Sequence, residues 1–339
     1  MRTYIYKVIL ALTFLAVSQT AIADEMDFSQ FLQSDETSAQ TIDYGLLSAL
    51  YKNTVLDLGL SARIKSPDAS TMMGTSLKTY RDRWTFYEGA RVAFSELQKS
   101  ENQATLNNLR RQLQGLPSAV SLASLSKNEQ IAYWLNIYNL GLIEKLASRT
   151  SGRIQDGLYK DNSILDEKFI TVTGVNLSLN DIQYNIVYKL NERANPLLMY
   201  GFFQGVIGSP KIRREAYSGP TIYEQLADNA NEFINSNRGT KWGNKLEISW
   251  YYQHNQMLFP NFQKDLKNHL KKYLSEPMNS ELTREKELHP VLTSFNRADY
   301  SGGETTKGLG HNLWEDEDEQ LGPKDVLNKY IEERAGISK

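Results

Sequence analysis

The sequence predicts an α+β fold, a mostly helical single domain with a small antiparallel sheet or hairpin. Three observations lead there. Ser126 to Ala147 reads as one long helix. Ser126 with Glu129 three residues later is a capping-box pair. Apolar residues recur at Ile131, Trp134, Leu135, Tyr138, Leu142 and Leu146, which is one helical face. Most other apolar runs also have helical spacing. The clearest strand signal is confined to Phe169–Leu179, where two short β-rich runs flank Thr173-Gly174, the chemistry of a hairpin turn. A third β-like run, Leu246–Trp250, completes the expected small sheet. Helical runs do not alternate with enough strands for a large parallel sheet.

The long helix is the expected centre of the domain. Asn136 and Asn139 are three apart and lie near each other on its surface. Asn is a poor helix former. Two of them beside a Trp and two Tyr need hydrogen-bond partners if buried.

In chain order, Arg2 and Lys7 precede an apolar run from Val8 to Val17 and the small-residue pattern Ala21-Ile-Ala23. Residues 1–23 read as a cleaved signal peptide, because the run is short for a membrane span and no Cys follows it. The mature chain is then expected in the periplasm or outside the cell, with no membrane span after cleavage. Residues 24–43 are expected to form a loose, acidic, polar lead-in, and a domain is expected over 44–277. Helices are expected at Tyr44–Leu60, Arg81–Gln98, Gln103–Leu116, Ile182–Leu190 (capped by Asn180), Thr221–Asn235 and Phe262–Leu274, with loops at Ala62–Lys78 and Ser148–Asp166. Within Arg81–Gln98, Glu88 and Arg91 are three apart. They are either a surface ion pair or a buried pair that orients a site.

Pro196 to Phe203 is an apolar run that breaks into Gln204-Gly-Val-Ile-Gly-Ser-Pro210. This backbone-rich loop is either a structural turn or a cradle of amides for an anion, with Lys211, Arg213 and Arg214 nearby. Residues 278–339 read as a polar, acidic tail with Gly302-Gly303, the run Glu315–Glu319 and a short helix from Pro323 to Arg334. The acid run beside His311 reads as a solvated stretch rather than a cation site.

The chain has 339 residues, a formal net charge of −2 and no cysteine. Disulfides, thiolate nucleophiles and Cys-ligated metals are therefore excluded. The charge gives no global pull toward nucleic acid or an anionic membrane. There is no P-loop, GxGxxG, HExxH, GxSxG or zinc spacing, so neither cofactor nor metal is expected.

Together the carriers Trp134–Asn139, the hairpin with Leu177–Ile182, Gly205…Ser209-Pro210, Glu215-Ala-Tyr217 and Ser249–Phe259 resemble the DUF547 family, whose function is unknown. The resemblance runs from about Tyr44 to Ser275. Gln204–Arg214 with Glu88-Gly-Ala-Arg91 looks like an exported bacterial branch. Many members carry a His and cysteines in this run and loop. Here Met199 falls where that His would be, and Gln204 and Ser209 fall where those cysteines would be. Leu258 stands where many members have an aspartate. The resemblance implies a fold and no reaction, and Cys-His chemistry cannot operate in this chain.

Two functions are set side by side. One is a non-catalytic binding or scaffold protein of the cell envelope, using Glu88, Arg91, Asn136, Asn139, Gln204 and Arg214 to hold an envelope ligand or protein. The other is a Cys-independent hydrolase or transferase acting on an envelope peptide or glycan. In it Ser209 or a Glu88-activated water attacks, His254 is the base, and Asn136 or Gln204 donates to the oxyanion. His269 is expected on a surface helix, away from any chemistry. Convergence of the named residues in one cleft would mark a site.

Overall fold

The computed structural model describes residues 27–65, 84–149, 163–191, 195–243, 245–285 and 287–300. The expected signal peptide, the acid run with His311 and the last short helix lie outside the described residues, as does most of the Ala62–Lys78 loop.

The described part of the lead-in is not loose. Ser29–Phe31 forms a 3-10 turn, and Phe31 is buried with its ring edge-on to Trp134, centroids 5.2 Å apart. The first helix, α1, spans Gly45–Thr54 and stops short of the expected Leu60. At Val55 the backbone turns extended and becomes strand β1, Val55–Asp57, antiparallel to β2, Ala90–Val92. Val55 and Leu58 keep a helical spacing, but the β-branched Val55 sits in a ladder that only tertiary pairing supplies. The same pairing overturns the helix expected at Arg81–Gln98. Gly89, at φ +78°, ends a series of turns with a conformation that side-chain-bearing residues resist. Among the described residues of that range only Phe94–Leu97 (α2) is helical.

Helix α3, Ser100–Gly115, follows as expected and lies against α4, Lys127–Ala147. Ser126 caps α4, its Oγ accepting from the Glu129 amide at 3.3 Å. The reciprocal half of the capping box is absent, because the Glu129 carboxylate accepts from the Ile42 amide at 3.1 Å and from the Gly219 amide. Helix α4 is buried on every side from Glu129 to Ile143 rather than along one face. A helix with no solvent side is what a domain core surrounds.

The hairpin forms as expected. Strand β3, Ile170–Val172, pairs with β4, Val175–Leu177, across Thr173 and Gly174, both at positive φ. The next helix is not capped by Asn180. The Asp181 amide donates to Ser178 Oγ at 3.0 Å and the Ser178 amide to Asp181 Oδ2 at 2.9 Å, while Asn180 bonds to Asp166. The segment is a π-helical turn, Asp181–Ile186, followed by a 3-10 turn, Val187–Lys189.

Helix α5, Ile222–Ile234, presents Ile222, Leu226, Ala230, Phe233 and Ile234 to the core as expected. Strand β5, Thr240–Trp242, pairs antiparallel with β6, Leu246–Ser249, and a short helix α6, Trp250–His254, follows with Ser249 as its cap. The expected single sheet is thus three small ones. The hairpin stands apart, and β6 pairs in parallel with β7, His289–Leu292. Between them lie α7, Phe262–Leu270, and α8, Met278–Arg284. Residues 278–300 are therefore part of the packed fold and not a loose tail. No described helix is long and apolar enough to cross a membrane.

His269, expected at the surface, is buried on α7. Its Nε2 lies 3.0 Å from the Tyr200 hydroxyl and its ring stacks on Tyr200. Burial pushes this imidazole down to about 4.

Two outcomes follow from this packing. Trp134 is fully buried and its indole N–H has no hydrogen-bond partner among the described residues, so its contribution is packing. Trp134→Ala is expected to cost ~3–5 kcal/mol in urea unfolding, and Trp134→Phe clearly less. A melt of Trp134→Ala within a degree or two of wild type would show that α4 is not central. The second concerns acid. An unfolded His269 takes its proton near pH 6.5 and the folded one only near about 4, so the unfolded state binds more protons in that window. Stability present above pH 6.5 is then lost as pH falls toward 4, by about 3 kcal/mol. Unfolding curves across that range should be steeper for wild type than for His269→Phe. Parallel curves would remove His269 as the cause.

Candidate functional site

The polar residues picked out in the sequence occupy different places, and most serve the fold. Asn136 and Asn139 are buried, and each pairs with loop backbone as one strand pairs with another. The Asn136 amide donates to the Tyr217 carbonyl and accepts from the Tyr217 N–H, both at 2.8 Å. Asn139 donates to the Gly201 carbonyl at 2.9 Å and accepts from the Phe203 N–H at 3.0 Å. Gln204 donates to the Tyr138 hydroxyl at 3.0 Å. The polar side of α4 therefore does meet the approach to the Gln204–Pro210 loop, but through Asn139 and Tyr138, while Asn136 holds the segment at Tyr217.

The loop is a structural turn. Its amides at Ile207 and Gly208 donate to the Asn296 and Ser294 carbonyls at 2.9 and 2.8 Å, so they are not available to an anion. A Cβ on Gly208 would stand 2.8 Å from the Ser294 backbone nitrogen and oxygen, which is why a glycine is needed there. The Ser209 hydroxyl donates to the Val206 carbonyl at 2.9 Å and accepts from the Gln204 amide at 3.3 Å. The seam between this loop and Trp250, Ser294 and Phe295 holds about 10 Å³, room for about one water.

Glu88 and Arg91 are buried and do not share a helical face. The Arg91 guanidinium donates to the carbonyls of Thr85, Phe86, Glu88 and Ala90, pinning the turn that precedes β2. Burial, aided by the charge of Arg238, pushes it down to about 10, so it stays protonated at neutral pH. Glu88 faces Arg238, whose Nε lies 3.8 Å from Glu88 Oε2. Its other oxygen accepts from Ser61 Oγ and from the Asn237 amide and side chain. Burial raises the Glu88 carboxyl, while Arg238 and these donors oppose the rise. Arg238 also pairs with Glu232 and donates to the Ser209 carbonyl at 2.7 Å. This knot joins Glu88 to the Ser209 loop. The sequence singles out neither Arg238 nor Glu232, because no spacing rule relates residues six apart across a helix end.

His254 is half-buried on α6. Its Nε2 lies 2.9 Å from the Tyr184 hydroxyl and its ring stacks on Trp250, centroids 4.9 Å apart. Burial lowers its affinity for a proton. The hydroxyl of Ser209 and the imidazole of His254 are thus turned to different partners.

Arg214 is exposed and lines an open cleft of about 480 Å³ formed by the end of α1, β1, the Lys211–Glu215 segment and α5. The residues that line it are all charged: Lys52, Asp57, Lys211, Arg213, Arg214, Glu215 and Asp228. Sequence reading marked Arg213 and Arg214 but not Lys52, which is an ordinary exposed position on α1. No group of three or more His, Asp or Glu fit to hold a metal occurs among the described residues.

Residues 122–234, about a third of the chain, match the model of the DUF547 family, described as a protein of unknown function. The matched stretch contains α4, the hairpin, the Gln204–Pro210 loop and α5. Searches of curated proteins and of solved structures returned no match.

If the amide pairing at Asn136 is architectural, Asn136→Ala is expected to destabilise the domain by ~1–3 kcal/mol in urea unfolding, since it leaves a buried peptide N–H and C=O unpaired. Asn136→Asp should cost at least as much at pH 7, because a carboxylate cannot donate to the Tyr217 carbonyl. Wild-type stability in both variants would refute the assignment.

Proposed function

We propose that this chain is an exported, non-catalytic binding or scaffold domain of the cell envelope. The observation that carries the reading is the state of the candidate nucleophile. Ser209 is buried, its hydroxyl is bonded to the Val206 carbonyl, and the seam beside it has room for about one water but not for a substrate. A substrate carbonyl needs a position about 3 Å from both nucleophile and oxyanion donor, and neither Asn136 nor Gln204 offers one, since both are buried and bonded within the fold. What is open to solvent is a cleft of ligand size lined by charge. Export rests on the first 23 residues, with their basic start, apolar run and small-residue site.

The hydrolase or transferase reading draws on one feature, the half-exposed His254–Tyr184 pair, whose imidazole is a neutral base at physiological pH. One experiment separates the two. The mature protein, from Asp24 onward, is incubated with envelope glycans and peptides, with binding followed by calorimetry and products by mass spectrometry. Binding without product is expected. Product formation that His254→Ala abolishes would establish the enzyme instead. Fractionation of cells expressing the full chain should place a shortened protein in the periplasm or medium, and an uncut cytoplasmic protein would overturn the export reading.

A further inference from the structure

The charges of the open cleft do not cancel. Asp57 pairs with Lys211 at 2.5 Å. Glu215 and Asp228 both sit on Arg213, at 2.9 and 3.7 Å. The three carboxylates of the cleft thus serve two cations. Arg214 and Lys52 remain, and among the described residues neither has a carboxylate within ion-pair distance. The Arg214 guanidinium is held in place by one bond, its NH2 donating to the Lys52 carbonyl at 2.9 Å. That carbonyl belongs to the last turn of α1, which has no further residue of its own helix to accept from. Among the described residues no other hydrogen bond engages this exposed guanidinium, so one nitrogen anchors the fork. Lys52 also lines the cleft. Lys211 and Arg213 keep only 12 and 13 % of their side chains exposed and hold the three carboxylates, so the cleft's unpaired positive charge lies at Arg214 and Lys52.

We propose that this cleft binds an oxyanion group, a phosphate or a carboxylate, between Arg214 and Lys52. This deepens the binding reading above, on which it rests, by naming the chemical class of the ligand. A planar guanidinium with one nitrogen anchored matches two oxygens of such a group, and a nearby ammonium adds a point charge. The volume exceeds a single anion, so the anion is one end of a larger molecule whose remainder lies against the mixed-charge rim formed by Glu215 and Asp228. The amide cradle expected at Gln204–Pro210 plays no part, since the Ile207 and Gly208 amides are bonded to the Ser294–Asn296 backbone.

The test uses the full mature chain at fixed ionic strength. Inorganic phosphate and succinate are titrated separately, with sodium chloride as the control, and binding is read by calorimetry and by the shift in melting temperature. Saturable binding of at least one anion is expected, in the millimolar range that suits so small a ligand, on the order of 1–10 mM. The one that binds identifies the group as phosphate or carboxylate. Arg214→Gln and Lys52→Gln should each weaken it by about tenfold, and Lys145→Gln, away from the cleft, should not. Lys52 is solvent-exposed, so its variant keeps the test decisive even where Arg214→Gln lowers the melting temperature by freeing the α1 carbonyl. Absence of binding by both anions, or an affinity indifferent to Lys52→Gln and Arg214→Gln, would overturn the proposal. Envelope ligands binding with no dependence on either residue would sink the anion site while leaving the binding reading intact. Turnover of those ligands would sink the binding reading itself.

Discussion

Everything in this structure hangs on a helix that has no solvent face. Helix α4 is surrounded, and a surrounded helix cannot leave its polar side chains to water. The sequence places amides and a carboxylate along it, and each binds backbone of the 3-10 turns and loops packed around it. Gln130 donates to the carbonyls of Gln33 and Leu122, Glu129 accepts from the Ile42 and Gly219 amides, Asn136 pairs with Tyr217, and Asn139 bridges Gly201 to Phe203. An irregular chain packed against a core must satisfy its peptide groups somewhere. Here the helix does that for its neighbours, which explains how so many 3-10 turns and loops can stand beside it without sheet ladders of their own.

The second organising feature is ionic. Arg238 is almost wholly buried among Glu88, Glu232 and the Ser209 carbonyl, and Arg91 closes the adjoining turn. A buried ion pair contributes little net stability against a well-packed apolar alternative, but loss of one member leaves the other charged and unsolvated. Such a knot fixes which segments lie together more than it strengthens their contact. It joins the turn before β2, the end of α5 and the Gln204–Pro210 loop.

How far the sequence spoke for itself depended on whether the signal was local. The α4 helix, its Ser126 cap, the α3 and α5 helices and the Thr173-Gly174 turn were legible because periodicity and turn chemistry act over a few residues. Residues 55–57 and 90–92 were not, because a three-residue strand exists only through a partner far away in sequence. Asn180 looked like a cap and Ser178 is one, a difference of two positions that only hydrogen-bond geometry decides. The importance of Asn136 and Asn139 followed from the cost of burying an amide, yet their partners are main-chain groups and carry no residue code. Arg238 and Arg297 were invisible for the same reason. Arg297 donates to the Leu146 carbonyl at the end of α4 and lies over the Phe94 ring, contacts no pattern announces.

The tight seam at Gly208 has a kinetic meaning. The segment Ser294–Ala298 runs between β2 and the central loop, with the Val92 amide donating to Ala298 and the Ala298 amide to Gly205. Three regions widely separated in sequence thus share one backbone ribbon, and its middle member is supplied near the end of the described chain. Contacts of such long range form only after the intervening chain has been made and its entropy of closure overcome. Until then β2 and the loop keep unpaired amides, and α4 lacks the arginine over its last turn. A fold held together by residues 294–298 is therefore complete only once that late segment has docked.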